Sequence, residues 1–104
     1  MNVIEINSKK ANEMIKNNKF NLIIDLREEG LYLEGHIPGA INIPTYEIND
    51  HIDYLRSMSS KNILLYCTSG IQSLSVGKVL LISGFKNVYS LYKGIENYNY
   101  KIVK

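Results

Sequence analysis

The chain has 104 residues, enough for one domain with a hydrophobic core and too few for a second. Its formal net charge is only +2, its lysines are scattered and arginine is nearly absent, so nothing indicates nucleic-acid binding. No apolar stretch approaches the length that spans a membrane, and the first residues lack the features of a secretory signal. We therefore expect one cytoplasmic domain over residues 1–104 that binds neither nucleic acid nor a membrane.

The charge is distributed unevenly along the chain. Residues before Lys61 include six basic and nine acidic side chains, whereas the segment from Lys61 onward has six lysines and one acid, Glu96. A solvated lysine surface is the ordinary explanation, and mild attraction of an anionic substrate is the functional alternative.

Short apolar runs alternate with helical patterns in the first half of the chain. Val3 to Ile6 predicts a strand, and Ser8 is a suitable N-cap for a short helix after it. The continuous apolar run 21–26 predicts a strand that is covered on both faces, as in a parallel sheet. Residues 40–43 predict a third, short strand.

The second half continues this alternation. Thr45 is a suitable N-cap for a helix in which Ile48, Ile52 and Leu55 recur at helical spacing. A strand, a helix and a last strand are then predicted over residues 62–66, 73–83 and 87–91, and no element is predicted for 94–104. The alternation predicts a three-layer α/β domain in which helices flank a mainly parallel central sheet.

Cys67 is the only cysteine, and it follows the predicted strand 62–66. Reactive groups in α/β folds cluster at the carboxyl ends of strands, and backbone N–H groups at a strand-to-helix turn favour the reactive thiolate. Cys67 is therefore a candidate nucleophile, although a single cysteine is often a buried, inert side chain. One thiol with His36 and His51 forms no zinc ligand set, so we expect no metal.

Four motifs occur in a characteristic order. They are D-x-R at Asp25 to Arg27, G-H-I-P-G-A-x-N-I-P from Gly35, C-x-x-G-x-x-S from Cys67, and G-F-x-x-V-x-x-L-x-x-G from Gly84. Together they resemble the pattern of the single-domain rhodaneses over nearly the whole chain. The resemblance implies a rhodanese-like α/β fold.

The resemblance also implies sulfur transfer without a cofactor. Cys67 matches the family's nucleophile, which takes the outer sulfur of thiosulfate or of a persulfide donor and holds it as a persulfide. No second cysteine can discharge that persulfide, so the acceptor is expected to be an external thiol, cyanide or a protein. The expected substrate-binding loop, whose backbone amides cradle the sulfur, consists of Thr68, Ser69, Gly70, Ile71, Gln72 and Ser73.

The loop departs from the family pattern where charge is expected. Gln72 stands at a position that is usually arginine, and Thr68 at one that is basic in many members that use thiosulfate. If one charged hydrogen bond is lost, a dianionic donor should bind less well by about 1.5 to 3 kcal/mol. Lysines elsewhere, such as Lys78, Lys86 or Lys93, are candidates to compensate, and a persulfide donor should be affected less.

Three further residues are expected to support the active face. Asp25 and Arg27 are interpreted as a structural pair, because a carboxylate beside a thiolate would oppose its ionisation. His36 lies in a turn and is expected to pack there and to bond to the backbone, with a role as general base as the alternative.

Two other classes of function stay open at this point. Related phosphatases and arsenate reductases use a C-x5-R loop, but Ser73 occupies the arginine position and no arginine follows, which disfavours that chemistry. In a non-catalytic binding or sensing module, Cys67 would be inert or would report oxidant or sulfide levels.

Overall fold

The computed structural model describes residues 2–104 and shows a central sheet of five parallel strands. The strands are β1 (Ile4–Ile6), β2 (Leu22–Asp25), β3 (Ile41–Asn42), β4 (Asn62–Tyr66) and β5 (Asn87–Leu91). Their order is β1-β5-β4-β2-β3, so β4 is the central strand. Because all pairs are parallel, the carboxyl ends meet at one edge, and Cys67 lies at that edge directly after β4.

Helices cover both faces of the sheet. They are α1 (Ser8–Lys16), α2 (Glu29–Glu34), α3 (Ile48–Leu55) and α4 (Ile71–Ile82), with 3-10 turns at Thr45–Glu47, Arg56–Met58 and Ile95–Asn97. One hydrophobic core joins the sheet to α3 and α4, and a second joins it to α1. Alternate β4 side chains enter each core, with Ile63 and Leu65 in the first and Leu64 and Tyr66 in the second. The predicted three-layer α/β architecture is confirmed.

The predicted strands agree best with the observed strands in the second half of the chain. Both β4 and β5 have the predicted bounds, whereas β1, β2 and β3 are shorter than predicted. The strand predicted over 40–43 is reduced to two residues, and at its start the Ala40 amide turns back to the carbonyl of Ile37 at 3.0 Å.

Both predicted N-caps were wrong. Asn7, not Ser8, caps α1, since its side chain accepts from the amide of Lys10 at 2.8 Å. Thr45 begins a 3-10 turn instead of capping α3, and its hydroxyl donates to the carbonyl of Leu26 at 3.3 Å.

The boundaries of two other helices also differ from the prediction. Helix α4 begins two residues before the predicted start at Ser73. Helix α2 was not predicted, because its six residues include Gly30 and bury no side chain that would set a helical pattern. No helix within residues 2–104 has both the length and the apolar character needed to cross a membrane.

Tyr66 ties the sheet to the segment that follows α2. Its side chain is fully buried, and its hydroxyl accepts a hydrogen bond from the Ile37 amide at 3.0 Å. Burial, assisted by the nearby Asp25 carboxylate, raises the pKa of Tyr66 far above its ordinary value. The folded chain therefore holds this phenol in its neutral form.

Replacing Tyr66 tests this anchor. Tyr66→Phe leaves the Ile37 amide without its partner, so we expect the free energy of unfolding near pH 7 to fall by about 1 to 3 kcal/mol. The unfolded wild type releases this proton near pH 10 while the folded chain keeps it, so stability falls as the pH rises above about 10. That alkaline loss should be smaller in the variant.

Denaturant unfolding followed by circular dichroism at neutral and alkaline pH measures both effects. Tyr54→Phe is the matched control, because the Tyr54 side chain is 77% exposed and should leave the neutral stability unchanged. A Tyr66→Phe protein as stable as the wild type near pH 7 would contradict the proposed anchor.

Candidate active site

The sulfur of Cys67 lies within a turn of backbone amides between β4 and α4. Its Sγ accepts hydrogen bonds from the amide of Gly70 at 3.2 Å and from that of Ser73 at 3.4 Å. The thiol also donates to Ser73 Oγ at 3.7 Å. Amides at the start of a helix have no partner within it, so they are available to this sulfur. Donors in this arrangement stabilise a negatively charged sulfur.

A cavity of about 310 Å³ gives access to Cys67, whose own exposure is only 2%. Besides the cysteine, Thr68, Ser69, Ile71 and Gln72 line it. The structure thus brings together all of the loop residues that the sequence singled out, since Gly70 and Ser73 contact the sulfur itself. That these residues bind substrate stays a prediction.

Two glycines allow the loop to close. Gly70 has φ +94°, and a Cβ there would lie 2.9 Å from the backbone nitrogen of Lys93. Gly94 has φ +66°, and a Cβ there would overlap the carbonyl oxygens of Cys67 and Thr68. Both positions therefore require glycine.

The segment after Gly94 forms backbone hydrogen bonds with the start of the Cys67 loop. The amide of Ile95 donates to the carbonyl of Cys67 at 2.9 Å, and that of Glu96 donates to the carbonyl of Thr68 at 3.2 Å. Sequence reasoning missed this segment because the tail from Gly94 shows no clear periodicity. Its only signal was Gly94 itself, at the end of the fourth motif.

Two buried serines lie beside the sulfur: Ser73 contacts Sγ, and Ser90 contacts Ser73. Ser73 and Ser90 are 0% and 1% exposed, and their hydroxyl oxygens lie 2.7 Å apart. Ser73 Oγ also donates to the carbonyl of Gly70 at 3.2 Å. Ser90 was missed because its neighbour Ser73 is distant in sequence; a serine within the apolar strand β5 was the available signal.

The loop from Cys67 to Gln72 carries no charged side chain. Gln72 is exposed, and its side-chain amide contacts Thr45, with Oε1 3.2 Å from Thr45 Oγ1. A neighbouring cavity of about 350 Å³, lined in part by Thr68 and Gln72, also includes Arg27.

Arg27 is already paired. Its Nη2 lies 2.7 Å from Asp25 Oδ2 and donates to the carbonyl of Gly35 at 2.6 Å. Burial alone would lower the pKa of Arg27, but its hydrogen bonds to Asp25 and the carboxylate charge outweigh this and raise it. The Asn42 side-chain amide in turn donates to the carbonyls of Asp25 and Arg27. These contacts suit the predicted supporting role, which stays a prediction.

His36 is not among the residues that line the Cys67 cavity. Its Nδ1 lies 2.8 Å from the carbonyl of Tyr32, which can only accept, so Nδ1 carries the proton. The imidazole stacks on the Tyr32 ring with centroids 3.8 Å apart, and the backbone of His36 pairs with Val103. Within residues 2–104, no three His, Cys, Asp or Glu side chains group closely enough to hold a metal ion.

The candidate lysines lie in different places. Lys78 of α4 and Lys93 after β5 line a cavity of about 300 Å³ that shares Ser69 and Ile71 with the Cys67 cavity. Lys86 immediately precedes β5 and is therefore at the amino edge of the sheet, opposite Cys67. Two of the three lysines are thus beside the loop.

Comparison with known proteins shows the family of the chain. The model of the rhodanese-like domain family matches residues 7–101. Two curated relatives are named tRNA uridine(34) hydroxylase. The Buchnera aphidicola protein is 32% identical over 97 residues, covering 89% of this chain and 31% of that protein. The Hamiltonella defensa protein is 37% identical over 93 residues, covering 86% and 26%. The chain therefore spans less than a third of the length of either relative.

Solved structures match over nearly the whole chain. A rhodanese-related protein from Thermoplasma volcanium superposes with a TM-score of 0.85 at 26% identity, covering 96% of this chain and 97% of that one. A Staphylococcus saprophyticus protein gives a TM-score of 0.87 at 23% identity, covering 98% and 100%, and this likeness concerns the fold alone. With the family model matched over residues 7–101, the chain belongs to the rhodanese-like domain family.

Proposed function

We propose that the protein is a sulfurtransferase or sulfur carrier that acts through a persulfide on Cys67. The observation that supports this most directly is the environment of Sγ, which accepts two backbone N–H groups beneath an open cavity. Membership of the rhodanese-like family agrees with this chemistry.

In the first step, the Cys67 thiolate attacks the terminal sulfur of the donor. A bond forms between Sγ and that sulfur while the donor's own sulfur–sulfur bond breaks, and its electron pair leaves with the remaining fragment. The fragment is sulfite if the donor is thiosulfate, and a thiolate if the donor is a thiol persulfide. The amides of Gly70 and Ser73 stabilise the attacking sulfur, and the other loop amides are available to the transferred one.

In the second step, an external nucleophile removes the outer sulfur and restores the thiolate. The chain has no second cysteine for this purpose, so a small thiol, cyanide or a partner protein is the acceptor. Because Cys67 lines the cavity, we expect the outer sulfur to face it, where such an acceptor can approach.

Among possible donors, we favour a persulfide over thiosulfate. Thiosulfate carries two negative charges, and the loop from Cys67 to Gln72 offers it no cation. Arg27, which lines the neighbouring cavity, is already neutralised by Asp25. The same lack of charge weighs against phosphoryl or arsenate chemistry, in which a fixed arginine balances the oxyanion.

The names of the curated relatives refer to a tRNA uridine, and this chain corresponds to a minor part of those proteins. For this chain we propose sulfur transfer without a nucleic-acid partner, which stays a prediction. The small net charge of +2 supports that choice.

Intact-mass spectrometry tests the mechanism. After brief exposure to a small-molecule persulfide, we expect the wild-type protein to gain one sulfur atom, and to lose it when cyanide or a thiol is added. Cys67→Ser should gain nothing. Because the chain has one cysteine, the added mass identifies the site without further mapping.

The result that overturns the proposal is equally direct. If neither thiosulfate nor a persulfide loads a folded wild-type protein, Cys67 is not a sulfur acceptor and the non-catalytic module takes its place. Circular dichroism of the same sample confirms that the protein is folded.

A second prediction concerns the missing charge. Gln72→Arg places a cation at the rim of the Cys67 cavity, so we expect kcat/KM for thiosulfate to rise by about tenfold or more, the effect of one charged hydrogen bond. Loading by an uncharged alkyl persulfide should change much less. Steady-state assays with the two donors and cyanide as acceptor measure the difference.

Gln72→Met is the matched control, because it removes the contact with Thr45 and adds no charge. An equal rise in Gln72→Met would show that losing this contact, and not adding charge, limits the use of thiosulfate. No rise in Gln72→Arg would show that the lack of charge at this position does not limit it.

A third prediction concerns the buried serines. When Cys67 ionises it no longer donates to Ser73 Oγ, so the Ser73 hydroxyl is free to turn and donate to Sγ. Ser73→Ala removes this donor but keeps the backbone amide, so we expect loading of Cys67 to slow by about three- to tenfold without being abolished, the effect of one hydrogen bond. Ser83→Ala removes an exposed hydroxyl at the far end of α4 and is the control. A loading rate equal to the wild type in folded Ser73→Ala would exclude a part for this hydroxyl.

A further inference from the structure

A second cavity adjoins the one above Cys67. Its volume is about 300 Å³, enough for a molecule of amino-acid size, and it shares Ser69 and Ile71 with the Cys67 cavity. Its charged residues are Lys78, Lys93 and Glu5. A molecule that delivers sulfur to Cys67 can therefore extend past Ile71 into this second cavity, which has charged lining residues, whereas the Cys67 cavity has none.

This cavity has a positive balance. Two lysines against one glutamate leave an excess of one positive charge. Among residues 2–104, neither Lys78 nor Lys93 forms a salt bridge with a carboxylate. Both ammonium groups are therefore available to an anion, in contrast to the guanidinium of Arg27.

The backbone at Lys93 is the most informative feature of the cavity. The turn after β5 is closed by a hydrogen bond from the amide of Gly94 to the carbonyl of Leu91 at 3.0 Å. Lys93 is the third residue of this turn and has φ +64°, a value that favours glycine or asparagine. A lysine here is less favourable for folding than glycine would be, so its side chain needs another explanation.

The position of the ammonium group supplies one. Lys93 Nζ lies 5.6 Å from the centre of the Tyr92 ring, and both side chains line the cavity. A cation held over an aromatic face is partly ordered but keeps its charge for a second partner. Backbone conformation and ring contact thus place a positive charge beside the entrance to Cys67.

We propose that this cavity binds the carboxylate of a low-molecular-weight thiol, and that the persulfide of such a thiol is the sulfur donor to Cys67. The inference rests on the proposed sulfur transfer. The carboxylate lies between Lys93 and Lys78, and the chain of the thiol passes Ser69 and Ile71 to reach the loop.

The transfer is balanced without a further reactant. The Cys67 thiolate attacks the terminal sulfur of R–S–SH, a bond forms between the two sulfurs, and the donor's sulfur–sulfur bond breaks. The products are the Cys67 persulfide, which keeps the hydrogen, and the thiolate R–S⁻. This leaving thiolate is held at the cavity by its carboxylate until it exchanges with solvent.

The experiment compares three donors that differ in one end group. The persulfides of 3-mercaptopropionate, 2-mercaptoethanol and 2-mercaptoethylamine carry a carboxylate, a hydroxyl and an ammonium group, and the loading rate of Cys67 is followed by intact mass. We expect the carboxylate donor to load the wild type about two- to fivefold faster than the hydroxyl donor, as for partly exposed ion pairs, and the ammonium donor to be slowest. The preference should shrink in high salt.

Variants assign the preference to individual residues. Lys93→Asn and Lys93→Gly both suit the turn, so each should unfold at an unchanged or higher temperature and yet lose most of the preference for the carboxylate donor. Glu5→Gln should strengthen that preference. The readout is the ratio of the loading rates of the carboxylate and hydroxyl donors, because this ratio cancels any general effect of a variant on Cys67.

The chain contains two matched controls. Lys86→Gln removes a lysine at the opposite edge of the sheet, and Asn18→Gly changes the other non-glycine residue with positive φ among residues 2–104. Neither should alter the order of the donors.

The outcomes separate this inference from the one on which it rests. If all three donors load Cys67 at similar rates, or if the lysine variants keep the wild-type preference, the carboxylate site is wrong and sulfur transfer stands. If no donor loads Cys67, sulfur transfer itself is wrong.

Discussion

The active face depends on two backbone hydrogen bonds that join chain segments far apart in sequence. The amides of Ile95 and Glu96 donate hydrogen bonds to the carbonyls of Cys67 and Thr68. This close approach requires glycine at position 94, because a Cβ there would overlap the same carbonyls. With these carbonyls engaged, the loop closes so that its later amides face the sulfur. The reactivity that we propose for Cys67 therefore depends on the packing of β5 and its following turn against β4.

In the mechanism that we propose, backbone dipoles and not side-chain charges stabilise the negatively charged sulfur. The donors at Gly70 and Ser73 are fixed by the fold, so they need little reorganisation when charge develops on the sulfur. Full positive charges lie outside the loop, on Lys78 and Lys93 of the adjoining cavity. Such a division favours a donor whose charge is remote from the transferred sulfur, and disfavours one that, like thiosulfate, carries its charge at the reacting group.

Elements and contacts differ in how far the sequence predicts them. The strands 62–66 and 87–91 were predicted to the residue because each is a mostly buried run with clear ends. The position between strand and helix marked Cys67 as a candidate nucleophile, whereas the loop residues Thr68 to Ser73 were expected from the resemblance to the rhodaneses. Ser90 and the hydrogen bond from Ile95 were missed because their roles come from contacts between distant segments, which leave no local pattern. The proximity of Lys78 and Lys93 could not be predicted for the same reason, since α4 and the turn after β5 meet only in the folded chain.

We propose that backbone amides of this loop hold the sulfur that Cys67 carries. Two-dimensional ¹H–¹⁵N NMR of the protein before and after persulfide loading tests this proposal, with mass spectrometry reporting the extent of loading. We expect the amide resonances of Gly70 and Ser73 to shift most and the amide resonance of Lys86 to stay in place. A fully loaded protein in which the loop resonances do not move would contradict it.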